Sequence, residues 1–257
     1  MSDKEKRVHQ EYIRVVPGAK TAVLCVHGIT NTPLIFNGIL PLIPDNVSIY
    51  NILLDGHAKA NREFSKTSMK KWKAQVRAKF LELSEKYEQI ILTSHSMGAF
   101  FCIENAVLNP EKVKAMFIIS APMRTFLSWT SIKLVLKVLF EKIDDEKPLE
   151  HAARIGFSMQ PTKKIWTLIP WIPKFLAFLP ESKRCRALAR QLKVPTTVFH
   201  SVHDELTKKS SSNCFKNQEY INLTMLPKSY HQWWDEEEYK MIQDSYASLF
   251  KGEGKEK

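Results

Sequence analysis

Cysteine is scarce and scattered. Cys25, Cys102, Cys185 and Cys214 lie far apart with no C-x-x-C spacing, which excludes a dense disulfide framework and a zinc knuckle and leaves reduced thiols. Long apolar runs are also missing. The most apolar stretch, residues 165–180, is broken by Pro170, Pro173, Lys174 and Pro180 and falls short of the roughly 20 uninterrupted residues that a membrane span needs. Residues 1–7 are charged and are followed by no apolar region, so no secretory signal is read and the chain is expected in the cytoplasm. No period of roughly 20 to 50 residues recurs, and only residues 252–257 are of low complexity. Acidic residues are in deficit, 27 against 38 Lys and Arg, for a net charge of +11. With 257 residues, 44% hydrophobic and 25% charged, the chain has globular proportions and fits one large domain, or a domain carrying an insertion.

What is present alternates. Residues 21–29 (TAVLCVHGI) form a short apolar, β-branched run between Gly18 and Thr30-Asn31-Thr32, the pattern of a buried strand. Residues 47–54, 89–93 and 113–120 repeat it. Residues 68–87 place Trp72, Val76, Phe80, Leu81 and Leu83 at helical spacing with lysines and Arg77 on other faces, an amphipathic helix. A second helix is expected over 97–108, and strands at 196–201 and 221–226 precede a last helix at 236–251. Such alternation implies an α/β protein with a mostly parallel central sheet and helices on both faces. Residues 124–193 break the rhythm with helical patterns around a proline-punctuated centre. The expected division is a core of residues 1–123 and 194–257 with a mainly helical cap inserted at 124–193. The insertion holds 14 Lys and Arg against 6 Asp and Glu, so it carries +8 of the net +11.

The strand at 89–93 runs into Ser94-His95-Ser96-Met97-Gly98 and directly into a helix. This is the setting of a nucleophile elbow, where a sharp turn lifts a serine hydroxyl above the carboxyl edge of a sheet. Gly98 supplies the small residue after the serine, and Ser94 stands where the G-x-S-x-G pattern has its first glycine. A serine before a helix can equally be a cap. A serine hydroxyl needs an imidazole base to become a nucleophile, and the imidazole needs a carboxylate to hold its tautomer. Asp204 follows the strand at 196–201 and His231 follows the strand at 221–226, so all three groups fall at one sheet edge. Glu205, beside Asp204, is the other candidate acid. The backbone N–H groups of Ile29, in His27-Gly28-Ile29-Thr30, and of Met97 are placed to stabilise an oxyanion. His27 and His57 are expected to shape the loops there, His95 to pack beneath the site, and His200 and His203 to be strand-end and loop residues. Asp235 and Glu238 read as a capping box for the last helix.

Together VHGIT, LLDGHA, SHSMG, HSVHDEL and SYHQWWDEE resemble the small bacterial carboxylesterases and monoacylglycerol lipases of the α/β-hydrolase fold. The resemblance spans about residues 10–251. It implies Ser96 as nucleophile, His231 as base, Asp204 as orienting acid, and Ile29 and Met97 as oxyanion donors. Two positions depart from the pattern: Ser94, and Thr207 where the family often has an apolar residue.

The 124–193 segment holds Phe126, Trp129, Phe140, Phe157, Trp166, Trp171, Phe175 and Phe178. These either pack the cap onto the core or line an acyl pocket, in which case Trp129, Trp166 and Trp171 are the substrate-binding candidates. Residues 132–143 add a helical stripe of Leu134, Val135, Val138 and Leu139. Lys133, Lys137, Lys163, Lys164 and Lys174 would form a basic outer face able to rest on anionic membrane. No nucleic-acid motif accompanies the charge, and neither a metal nor a cofactor is expected. The expected activity is hydrolysis of a small acyl ester of medium-chain or monoacylglycerol-like type. Thioester, lactone or peptide cleavage on the same three residues, or a non-catalytic lipid- or partner-binding protein, are the alternatives.

Overall fold

Strand residues alternate between two buried faces, and the helices follow from that. In the computed structural model, which describes residues 9–125, 128–158, 162 and 164–251, the chain runs β1 (Tyr12–Arg14), β2 (Thr21–Val26), β3 (Ser48–Ile52), α1 (Asn61–Ser65), α2 (Met69–Lys86), β4 (Gln89–His95), α3 (Gly98–Leu108) and β5 (Val113–Ile119). It continues through α4 (Trp129–Leu139), α5 (Pro148–Gly156), α6 (Ile172–Leu176), α7 (Phe178–Ala189), β6 (Thr196–Ser201), β7 (Ile221–Leu226) and α8 (Glu236–Ser248). The seven strands form one sheet in the order β1-β3-β2-β4-β5-β6-β7. All pairings are parallel except that of β1 with β3.

Ala22, Leu24, Val26, Leu92, Ile118 and Val198 point to a core shared with α2 and α3. Val23, Cys25, Ile91, Phe117 and Phe199 point to a second core, with Ile242 and Tyr246 of α8. A sheet covered on both faces must be apolar on both, which is why its strands read as continuous hydrophobic runs. Ser68 caps α2 by accepting from the Lys71 N–H at 3.3 Å. At α8 the capping differs from the expected box. Asp235 accepts from the Glu237 N–H at 3.2 Å, but the Glu238 carboxylate turns away to the Lys228 N–H and the Ser229 hydroxyl. Ser229 Oγ takes the Asp235 N–H at 3.1 Å instead. Glu238 therefore secures the loop before α8.

The 124–193 segment lies between β5 and β6 and shares the larger core through Leu134, Val138, Ala153, Phe157, Trp171, Phe178 and Cys185. Phe178 meets Phe100 of α3 at a centroid distance of 5.5 Å, and Glu104 of α3 takes both Lys73 of α2 and Arg184 of α7 at 2.8 Å. The segment is also tied to loops at the carboxyl edge of the sheet. Thr125 bridges Thr207, Ser128 Oγ donates to Glu205 O at 2.8 Å, and the Ser158 N–H donates to Thr30 O at 2.8 Å. The first helix here ends at Leu139, short of the expected residue 143, because Glu141 adopts φ +54°. Phe126 and Lys163 lie outside the described residues.

The basic outer face expected of this segment is present only in part, with Lys133 and Lys164 exposed. Lys174 is buried, its Nζ donating to Ser65 O at 2.9 Å and Pro170 O at 3.0 Å, and Lys137 pairs with Glu150. What faces solvent between Lys164 and Lys183 is apolar: Trp166, Ile169, Ile172, Leu176 and Leu179 are each more than half exposed. No helix among the described residues is long and apolar enough to cross a membrane.

The β4–α3 junction is tight. A Cβ on Gly98 would sit 2.0 Å from Val26 O, so helix and strand approach only because no side chain intervenes. Ser94 is fully buried on the strand side of the same junction. We expect Ser94→Gly to fold normally and Ser94→Leu to lose about 1–3 kcal/mol or more, since added bulk parts well-packed elements. Denaturant unfolding of the two variants checks this, and a leucine variant of full stability would contradict it.

Candidate active site

Ser96 sits where β4 ends and α3 begins, at φ +53°. A left-handed backbone costs a non-glycine residue on the order of 1–3 kcal/mol and persists only when its surroundings impose it. Here the Ser96 N–H donates to Ile119 O at 2.9 Å and Ser96 O accepts from Ala99 at 3.0 Å. The turn lifts Oγ to 2.9 Å from His231 Nε2. His231 Nδ1 lies 2.7 Å from Asp204 Oδ2. With its Nδ1–H given to the carboxylate, the ring presents the Nε2 lone pair to the serine hydroxyl.

The two neighbouring carboxylates divide their work. Asp204 Oδ1 accepts the N–H groups of Leu206 at 2.9 Å and Thr207 at 2.7 Å, which aims Oδ2 at the imidazole. Glu205 Oε2 accepts the backbone N–H of His231 at 3.1 Å and so holds the residue, whereas Asp204 holds the ring. Burial would by itself raise the Asp204 carboxyl, but His231 beside it and the Leu206 N–H bring it below the ordinary range. Burial likewise pulls His231 down, and the Asp204 charge and hydrogen bond more than offset it, leaving the imidazole above its ordinary value. Burial pushes the Glu205 carboxyl up.

Burial holds His27, His57, His95 and His200 below the ordinary imidazole range. His95 is fully buried and donates from Nε2 to His231 O at 3.0 Å, beneath the site. Burial drives its pKa down to about 3. His27 Nε2 accepts the Leu54 N–H at 3.1 Å and its Nδ1 donates to Gly28 O at 2.8 Å. His57 donates from Nε2 to Ile29 O at 2.8 Å, and burial lowers its pKa to about 4. The two rings meet edge to face at 4.8 Å and fix the 27–30 loop. His200 Nε2 reaches Lys208 O at 3.3 Å at the end of β6, and the His203 ring lies 6.3 Å from that of Tyr230.

Neither the Ile29 nor the Met97 N–H has an acceptor among the described residues. Two free donors beside a serine hydroxyl are what a developing oxyanion requires. Three features of the site lie outside the sequence reading. A Cβ on Gly28 would meet Ser96 Cβ at 2.8 Å, so only glycine lets that loop approach the serine. Asn31 Nδ2 donates to Gln232 Oε1 at 2.8 Å, joining that loop to the residue after His231. The Leu206 and Thr207 N–H groups anchor Asp204. The signals were local, an aspartate followed by its own turn and a glycine after a strand, but their targets depend on the tertiary fold.

The three tryptophans expected to bind substrate differ in burial. Trp171 is 4% exposed and packs on Phe64 at 4.6 Å, while Trp129 and Trp166 are 78% and 62% exposed.

No family model matches the chain, and no curated protein matches it either. Solved structures do. A lipolytic enzyme of the metagenome-derived LipS and LipT pair is 19% identical with a TM-score of 0.71, covering 95% of this chain and 98% of its own. A monoacylglycerol lipase of Paleococcus ferrophilus is 16% identical at TM-score 0.64, covering 93% and 98%. The thioesterase domain of the curacin biosynthetic pathway is 16% identical at TM-score 0.59, covering 95% and 98%. The chain has the α/β-hydrolase fold, with a seven-stranded, mostly parallel sheet.

Proposed function

We propose that the chain is a serine hydrolase of carboxylic esters, acting through an acyl-enzyme on Ser96. The observation that carries this is the continuous line Ser96 Oγ–His231 Nε2–Asp204 Oδ2, at 2.9 and 2.7 Å, ending on a serine held at positive φ. His231 takes the hydroxyl proton as Oγ attacks the carbonyl carbon, Asp204 stabilises the imidazolium, and the Ile29 and Met97 N–H groups receive the oxyanion. His231 then gives the proton to the leaving oxygen, and water repeats the cycle to free the acid. The substrate class is a medium-chain or monoacylglycerol-like ester, with residues 124–193 as the cap over the acyl group. Mass spectrometry after treatment with a fluorophosphonate tests the reading. An adduct on Ser96 supports it, and an unlabelled, folded protein refutes it.

Because His231 must be neutral to accept the proton, its pKa sets the acid limb of kcat/KM. The imidazole is held above 6.5, so activity should rise with pH through a midpoint above that value. Replacing Asp204 by asparagine removes the charge that raises it, and the midpoint should fall. A wild-type midpoint below 6.5 would contradict the assignment.

The exposed apolar stretch between Lys164 and Lys183 supports peripheral contact of the cap with anionic membrane, since apolar side chains flanked by cations suit the headgroup boundary. Ile169→Asp combined with Leu179→Asp should reduce co-sedimentation with vesicles containing phosphatidylglycerol about tenfold or more. Unchanged sedimentation would remove the membrane from the reading.

A further inference from the structure

A cleft of about 410 Å³ opens beside the serine site without touching Ser96. Its walls are apolar and aromatic, with Leu34, Ile155, Trp233 and Trp234 among them, and Asp145 and Glu146 belong to its lining with no lysine or arginine. Trp234 is stacked on Tyr239 at 5.4 Å and 7°, so that wall is already in place. Gln232 and Gly156 close the inner end, where a Cβ on Gly156 would lie 3.1 Å from Asn31 Nδ2 and 3.2 Å from Gln232 Oε1. At the other end of the same amide, Asn31 Oδ1 lies 3.1 Å from the Cβ position of Gly28, which is itself 3.2 Å from Ser96 Oγ. The hydrogen-bonded Asn31–Gln232 pair thus stands between the cleft and the serine.

We infer that this cleft receives the alcohol arm of the ester, that the Asn31–Gln232 pair parts to admit it, and that it selects neutral apolar or aromatic alcohols over anionic ones. The inference rests on the serine-hydrolase reading, and one chemical requirement places the arm. When the tetrahedral intermediate collapses, the bond from carbonyl carbon to leaving oxygen breaks, its electron pair goes to that oxygen, and the proton on His231 Nε2 is transferred to it. The leaving group therefore lies on the His231 side of Ser96, and the residues immediately after His231, Gln232 to Trp234, build the cleft. The volume falls within the usual range for small-molecule sites. Its charge is contrary to that of the protein as a whole: in a chain of net charge +11, this lining carries two carboxylates. Asp145 also takes Arg154 at 2.6 Å and His151 at 3.2 Å, which leaves Glu146 as the more telling carboxylate. Phosphate- or sulfonate-bearing leaving groups, coenzyme-A thiols included, would meet the Glu146 carboxylate, while the Arg154 cation is already engaged by Asp145.

The test compares methyl, 2-naphthyl and 6-sulfo-2-naphthyl butyrates on the full chain. The wild type should prefer the naphthyl ester to its sulfonated form by at least tenfold in kcat/KM at low salt. Glu146→Lys should narrow that gap severalfold, and the narrowing should fade as salt screens it. Ile155→Trp and, separately, Ala152→Trp fill the cleft from α5, and each should lower the naphthyl-to-methyl ratio at least tenfold. Gln232→Ala should raise that ratio. Ratios that do not move, or losses that track acyl length at constant methanol, would overturn the assignment. Calorimetric binding of 2-naphthol to Ser96→Ala needs no turnover and separates the two readings. Failure of Ser96 to take the fluorophosphonate defeats the hydrolase alone, whereas 2-naphthol binding that persists in both tryptophan variants defeats the cleft.

Discussion

Ser96→Ala is expected to fold and to lose esterase activity by about 10⁴- to 10⁶-fold, the scale of loss seen when a nucleophile is removed. The Ser96 side chain is bonded to His231, and one such bond is worth about 1 kcal/mol to stability. The variant should therefore melt within a few degrees of the parent. Activity on a soluble aryl butyrate is the measurement, with the melting temperature as control. Retention of even one percent in a pure sample would mean that acyl transfer does not pass through this hydroxyl.

Asp204→Asn should lower kcat/KM by about 10⁴-fold, because an amide facing Nδ1 favours the wrong tautomer and cannot balance the imidazolium. Glu205→Gln should cost less than about tenfold, because the amide oxygen still accepts the His231 N–H that Glu205 Oε2 now takes and the ring keeps its carboxylate. The contrast is informative because the two residues are adjacent, acidic and buried alike. An equal or reversed ranking would move the orienting role to Glu205.

The order of strands and helices was legible because each buried strand is an apolar run stopped by a turn. β6 and β7 match the expected bounds, with Pro195 before one and Pro227 after the other. β2 ends at Val26 rather than at residue 29, because the loop beyond it is held by His27 and His57, whose partners at Leu54 and Ile29 are set by the tertiary fold. β1 has only three residues and is fastened through Arg14 to the carbonyls of Ile43 and Val47, a long-range tie with no local periodicity. α1 is equally short. Ser96, Asp204 and His231 could be read because each lies just past a strand of one sheet. The Asn31–Gln232 pair could not, since it joins residues 201 positions apart. Lys174 departs from the expected basic face for a related reason: a lysine amid apolar residues reads as an exposed charge unless the carbonyls that accept it, those of Ser65 and Pro170, are known.

The 124–193 segment is bonded to the loops of the proposed site: to Thr30, next to Ile29, and to Glu205 and Thr207, which follow Asp204. Loosening it removes a support from each at once. Heat inactivation should accordingly be all-or-none in each molecule. A partly heated preparation would then hold a shrinking number of enzymes with their original KM, so that its lost rate reflects a smaller workforce and not a slower worker.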